Sequence, residues 1–257
     1  TAFGGMAGSN ALCGMGQLGV DLTQLVVAPT LAYQFSPGHS VGVSPLLVYQ
    51  QFSAYGLQMF QMVPGASTDP AHLTNMGHDD STGLGVRLGY MGKLSDTVSV
   101  GASYSPKINM SKFDKYANLF AEQGDFDIPS SWNVGLALKP TVNQRIFLDY
   151  QRINFSDVAS VGNSFGPDGF VNNCAVQRLL GSTAASAGCL GADGGPGFGW
   201  RDVEVYKVGY QLTQGDWTWR LGYSQPREQP IPETELLFNI LAPAVVEKHY
   251  TAGVSWQ

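Results

Sequence analysis

Charge is scarce in this sequence. Asp, Glu, Lys and Arg make up 13% of its 257 residues, about half the roughly 25% of an ordinary soluble domain. A disordered chain is excluded too, because it needs high charge and few aromatics, and 11% of these residues are aromatic. The net charge is −6 and no basic cluster occurs, so the Lys/Arg stripe that tracks nucleic-acid phosphates is missing and no nucleic-acid partner is expected. No continuous apolar run of about 18 residues exists, which removes a transmembrane helix. No signal peptide is visible at Thr1; the Gly-rich start reads as a mature or truncated chain.

Catalytic and metal motifs are also missing. There is no Gly-x-Ser-x-Gly, and His39, His72, His78 and His249 show no Ser or Asp partner pattern. The nucleophile, base and orienter of an enzyme are therefore not in view, and neither catalysis nor a cofactor is expected. His78-Asp79-Asp80 offers nitrogen and oxygen donors for a cation, but three adjacent polar residues at a loop end are ordinarily just solvated, and no metal is expected. Cysteine is limited to Cys13, Cys174 and Cys189. Cys174 and Cys189 share one polar, Gly-rich segment, where an oxidising compartment would join them. Two unrelated thiols are the alternative, and Cys13 is left without a partner.

What the sequence has is glycine, 32 residues of it, set into period-two alternation. Leu84, Val86, Leu88 and Tyr90 alternate with Gly83, Gly85, Arg87 and Gly89. Val98, Val100, Ala102 and Tyr104 oppose Ser99, Gly101 and Ser103. The pattern returns at Trp132–Leu138, Ile146–Gln151, Trp217–Tyr223 and Tyr250–Trp256. One face is apolar and ends in aromatics. The other is Gly, Ser, Thr and a few charges, which suits a crowded lumen better than a Lys- and Glu-rich soluble surface. Aromatics near the strand ends (Tyr90, Tyr104, Trp132, Tyr150, Trp217, Tyr223, Trp256) match the interfacial girdles of membrane barrels.

The spacing predicts nine strands, at 22–35, 39–53, 81–93, 96–108, 129–139, 144–155, 202–213, 216–225 and 247–257. Their links alternate short and long, the long ones being 54–80, 109–128, 156–201 and 226–246. Tight turns on one side and long loops on the other is the outer-membrane barrel pattern, with the long loops outside the cell. Pro29 and Pro45 fall inside strands, and each implies a bulge or kink: a tolerated local bulge, or a break that bends the strand or opens a small gap. The expected fold is an all-β, transmembrane antiparallel β-barrel. Nine strands cannot close such a barrel, so the expectation is the C-terminal part of a larger one, with 1–20 the end of an extracellular loop and 22–257 the strands.

Several segments resemble the FadL/TodX family of outer-membrane transporters for long-chain fatty acids and aromatic hydrocarbons. They are Gly19-Val20-Asp21-Leu22-Thr23-Gln24-Leu25, Phe113-Asp114-Lys115-Tyr116 through Gln123-Gly124-Asp125-Phe126-Asp127-Ile128-Pro129, Gly199-Trp200-Arg201-Asp202, and Gln229-Pro230-Ile231-Pro232. The resemblance implies a fourteen-stranded barrel of which these are the last nine strands, with an N-terminal hatch upstream. It implies passive uptake of hydrophobic molecules across the outer membrane of a Gram-negative bacterium, by a monomeric barrel surrounded by lipid and lipopolysaccharide. A general porin, or a structural or adhesive barrel, is the alternative.

The resemblance also points to binding residues. It places a ligand groove on the loop at 54–80, where Tyr55, Leu57, Met59, Phe60, Met62 and Val63 are apolar in a region expected to face water; exposed apolar surface signals binding, and methionine adapts to varied ligands. The alternative is a strand extended above the membrane and packed on its neighbours. Phe113, Tyr116 and Phe120 recur at helical spacing in 111–121 and predict a short amphipathic helix, seating a loop over the barrel mouth or touching ligand. Lumen-facing Arg87 and Arg220 suit a carboxylate head group, or else pair with the acids Asp149 and Glu204, also read as lumenal.

Overall fold

A computed structural model describes residues 8–12, 14–182, 187–243 and 246–257. It contains β1 (Gly19–Val27), β2 (Leu31–Ser36), β3 (His39–Tyr55), β4 (Asp79–Lys93), β5 (Val98–Ser105), β6 (Ser131–Thr141), β7 (Gln144–Ile153), β8 (Val203–Gln214), β9 (Trp217–Pro226) and β10 (His249–Trp256). All pair antiparallel, each with its sequence neighbour from β3 to β10. β1 and β2 both pair with β3, so ten strands form nine staves of one all-β sheet.

The first stave is in two pieces because of proline. Val27 pairs with Leu47 and Leu31 with Val43. Both pairs keep one register, which sets Pro29 opposite Pro45. Neither residue has an N–H for the ladder, so the backbone pairing lapses there and resumes without a slip. A bulge would have shifted the register; none is present at this point. The Thr30 and Ser44 hydroxyls bridge the gap at 2.8 Å.

Register carries each strand's alternation around the wall. Gly101 pairs with Gly135, Gly135 with Asp149, Asp149 with Lys207, and Lys207 with Ser224. This row of small and polar residues lies on the same face as Leu46, Val48, Gln50 and Phe52, which are buried on β3. The opposite face has a parallel row: Val100, Leu136, Leu148, Val208, Tyr223 and Tyr250. Leu88, Leu148, Val208, Leu221 and Val254 are exposed on it. An apolar outer face beside a polar inner one is the reverse of a soluble protein's arrangement and is that of a wall in lipid. At the short-turn end the chain reverses through Gly38 and Gly215, both at positive φ, which glycine adopts freely.

The long loops fold together into a cap. One cluster of buried side chains joins Leu12 ahead of β1, Phe52 and Leu57 around β3, Phe113 and Phe120 after β5, Phe165 and Phe198 after β7, and Phe238 and Leu241 after β9. Segments from both borders of the sheet meet in it, so the sheet curves with its polar face inward. Loop-to-loop hydrogen bonds fix the arrangement, among them Thr68 N–H to the Leu190 carbonyl at 3.1 Å and the Asn239 amide to the Phe198 carbonyl at 2.7 Å.

Three local expectations differ from the structure. Regular β5 ends at Ser105, earlier than 108, because Pro106 interrupts its ladder; single bridges at Ile108 and Met110 follow. The Gly83–Met110 bridge stands one residue out of step with the Leu88–Tyr104 pairing, a bulge. Segment 111–121 is not a continuous helix. A 3-10 turn at Asp114–Tyr116 and one turn at Ala121–Gly124 replace it, since a stretch this short cannot sustain a helix against tertiary contacts. Glu204 belongs to the outer face, because its even-numbered partners on β8, Tyr206 and Val208, are outward.

Candidate functional site

The cap is built on Phe52, the uppermost large lumenal residue of β3. Phe113, Tyr116 and Phe120 pack around it with ring centroids 5.5, 5.0 and 5.1 Å away. All three are fully buried, and the Tyr116 hydroxyl donates to the Gly77 carbonyl at 2.7 Å. Their helical spacing in sequence is thus used for packing by a turn. Leu57 is buried in the same cluster. Tyr55 is half-buried, its hydroxyl 2.7 Å from that of Ser53.

The next segment, one helical turn at Met59–Met62, divides its side chains. Phe60 points down and meets Phe165, Phe170 and Phe238 edge-on at 5.8, 6.0 and 6.5 Å. Val63 packs against the same cluster. Met59 and Met62 point out, Met62 with 74% of its surface exposed. The segments touching Phe60 also present apolar side chains outward: Leu179 and Leu180 beyond Phe170, and Leu236, Leu237 and Ile240 around Phe238, with Leu180 81% exposed. Arg178 ties the first group to the methionine turn through its Nε–H to the Gly65 carbonyl at 3.0 Å. Sequence reasoning missed these leucines. The Leu-Leu pairs at 179–180 and 236–237 in the long loops were the available signal. Cys174 and Cys189 are joined in a disulfide that staples this region; Cys13 lies outside the described residues.

Below the cap the lumen has two characters. Beside β3 it is apolar: Leu46, Val48, Ile108 and Met110 form a second buried cluster. Ile108 lies over Gly85, where an added Cβ would stand 2.6 Å from its side chain. Elsewhere the lumen is polar. Arg87 donates from Nε to the Ser105 hydroxyl at 3.0 Å. Arg220 donates to Gln211 at 3.2 Å and Ser255 at 2.9 Å, and Lys207 to Gln151 at 2.8 Å. Among the described residues Arg87 and Arg220 form no ion pair, and the two are on well-separated strands. Glu204, on the other face, pairs instead with Arg152 and Arg227 at 3.3 Å each.

One carboxyl of the cap is strongly perturbed. Asp125 titrates at about 6, raised first by burial and then by the neighbouring Asp127 and Glu122 carboxylates. Asp127 itself is buried, accepts the Met110 N–H at 2.7 Å and pairs with Lys107 at 2.9 Å. His78, Asp79 and Asp80 do not converge. His78 sits 3.1 Å from Asp21, Asp79 accepts the Lys115 N–H at 2.8 Å, and Asp80 takes the Tyr49 hydroxyl at 2.5 Å. No group of three or more metal-ligating side chains gathers among the described residues.

A curved antiparallel wall with a polar inside, a lipid-facing outside and a cap of long loops defines an outer-membrane β-barrel. The sequence matches the family described as outer membrane protein transport protein (OMPP1/FadL/TodX) over residues 9–257, and the chain belongs to that family. It is a family of outer-membrane transport proteins of Gram-negative bacteria, not of enzymes. Solved structures that share the fold include the Pseudomonas putida toluene transporter TodX (19% identity, 93% of this chain and 61% of that one, TM-score 0.55), the Ralstonia pickettii toluene transporter TbuX (19%, 92% and 59%, 0.54) and a Pseudomonas aeruginosa FadL homologue (13%, 91% and 55%, 0.59). The chain thus spans about three fifths of the length of the two toluene transporters. No curated sequence matches it at a comparable level.

Proposed function

We propose that the protein is a passive uptake channel for hydrophobic molecules, hydrocarbons or long-chain fatty acids, which it captures on its extracellular cap and admits to the barrel. It would do so as a monomeric barrel bounded by outer-membrane lipid and lipopolysaccharide, its nine staves forming part of a larger closed wall. The observation that carries this reading is the apolar surface of the cap. Met59, Met62, Leu179, Leu180, Leu236 and Leu237 stand on three segments that all pack on the Phe60 ring cluster. Apolar side chains held on a rigid aromatic base, in water, are a docking surface for an apolar solute. Tyr55, Leu57, Val63, Phe113, Tyr116 and Phe120 form the floor beneath. Below them the cluster of Leu46, Val48, Ile108 and Met110 continues the apolar lining into the lumen. Arg87 and Arg220, without carboxylate partners among the described residues, supply positive charge for the head group of a fatty acid. Toluene, the cargo named for TodX and TbuX, fits the cap surface without using either arginine.

The test is uptake by cells bearing Met59→Asp with Met62→Asp. Removing two thioethers from the landing surface should lower uptake of dilute radiolabelled toluene or fatty acid roughly tenfold, the worth of about one buried apolar side chain. Permeability to a small sugar, measured by vesicle swelling, should stay low and unchanged. Ready sugar passage, together with hydrophobic uptake that ignores the double substitution, would establish a general porin instead.

A further inference from the structure

On the outer wall, across β6 to β9, a polar cluster stands directly above an apolar groove. The groove, about 720 Å³, is bounded by Leu136, Leu148, Tyr150, Tyr206, Val208 and Tyr223. These residues are outward on four adjacent strands and make up most of the lining, which sets the groove on the outer face, although Gly135, Asp149 and Lys207 also border it. Two residues further toward the loops, the register brings Arg152 opposite Glu204, level with Trp132 and Tyr104. Arg152 reaches Asp202 at 3.0 Å and Glu204 at 3.3 Å; Arg227 reaches the other Glu204 oxygen at 3.3 Å. With Glu228 these residues line a smaller recess of about 160 Å³.

The height of this cluster is set by the aromatics beside it. Trp132 and Tyr104 are outward at the loop ends of β6 and β5, where a barrel meets the head groups of the outer leaflet. Ions on the lipid side of a wall are costly unless something solvates them, and this network lies at the one depth where a charged head group is in reach. Its arginines are not exhausted. Asn154, Asp202 and Glu204 hold the Arg152 guanidinium in place. Arg227 spends one donor on Glu204 and remains 65% exposed on its side chain. A guanidinium presents five donors and matches phosphate bidentately. Asp202 and Glu204 orient the two arginines, Glu228 lies beside Arg227, and the Arg227 side chain remains largely exposed.

We propose that this composite surface is a binding site for one phosphorylated glycolipid of the outer leaflet, with an acyl chain along the β6–β9 groove and a phosphate on Arg227 and Arg152. Nothing in the site depends on what the channel transports, so it stands or falls apart from the uptake reading.

Native mass spectrometry of the detergent-extracted protein tests it, with diphosphoryl lipid A as the probe. The wild-type protein should retain diphosphoryl lipid A about tenfold more strongly than dephosphorylated lipid A, the worth of one charge-assisted hydrogen bond. Inorganic phosphate at the same concentration should not displace it, because the groove supplies part of the affinity. Arg152→Gln with Arg227→Gln should abolish the preference, and lumenal Arg220→Gln should leave it intact. Equal retention of the two lipids by the wild-type protein would overturn the proposal even if the double variant failed to fold. So would a preference that survives in a folded double variant, or displacement by inorganic phosphate alone.

Discussion

Asp125 shows how a single residue ties the cap to pH. The folded loop raises its carboxyl to about 6, through burial and the adjacent Asp127 and Glu122 carboxylates. In the unfolded segment it would titrate near the ordinary 3.8. The folded state therefore holds the proton more tightly. The stability this confers is complete below the ordinary carboxylate value and is lost as pH rises through about 6. Amide exchange across 106–130, corrected for the intrinsic rate, should accelerate over that window, and Asp125→Asn should flatten the profile. Slower exchange with rising pH in the native protein would refute it. The sequence contains three acids within six residues here, Glu122, Asp125 and Asp127. It does not reveal that two of them fold inward, because Asp127 depends on the Met110 N–H and Lys107 arriving from the segment after β5. Glu204 teaches the same lesson. Assigning it to lumen or lipid required counting faces along β8, and its charge alone pointed the wrong way.

At the scale of elements, what repeats every two residues was readable and what depends on a partner was not. Period-two alternation of apolar with small or polar residues marked the staves, and glycine serves where a lumenal position is crowded, as Gly83 and Gly85 beneath Met110 and Ile108 illustrate. The break between β1 and β2 was legible only as a proline. Its form, a lapse without a slip, follows from Pro29 facing Pro45 across the ladder. The long loops were readable as long, but not as a packed cap, because their aromatics find partners far along the chain, as Phe52 with Phe113, Phe60 with Phe165 and Phe60 with Phe238. The disulfide contributes at this level. Cys174 and Cys189 are 15 residues apart, and closing a loop of that size confines the unfolded segment by at most about 3 kcal/mol. Replacing both with serine should speed proteolytic cleavage within 175–190 severalfold while the heat resistance of the strands stays unchanged, since none of them depends on that loop for pairing. A barrel that melts along with the loop would show that cap and wall form one cooperative unit.

For the molecule as a whole, the decisive relation is between the two faces of the wall. The outer rows are apolar and exposed, the inner rows small and polar except beside β3, and the cap holds aromatics inside with leucine and methionine outside. Under the proposed function the cap would gather an apolar solute from water and the lumen beside β3 would accept it, while the outer belt stays in lipid. That arrangement rests on the inside–outside assignment, which two neighbouring residues on one strand can test. Thr251 pairs with Gly222 and faces the lumen; Ala252 pairs with Leu221 and faces out. An arginine at the lipid-facing position near mid-membrane should destabilise the barrel by about 2–4 kcal/mol, whereas one in the lumen should cost little. Urea titration of the protein folded into phospholipid vesicles should therefore separate Ala252→Arg from Thr251→Arg by a margin of that order. Equal costs would refute the inside–outside assignment; the reverse order would invert the wall, and the lipid groove on β6–β9 and the lumenal arginines would exchange places.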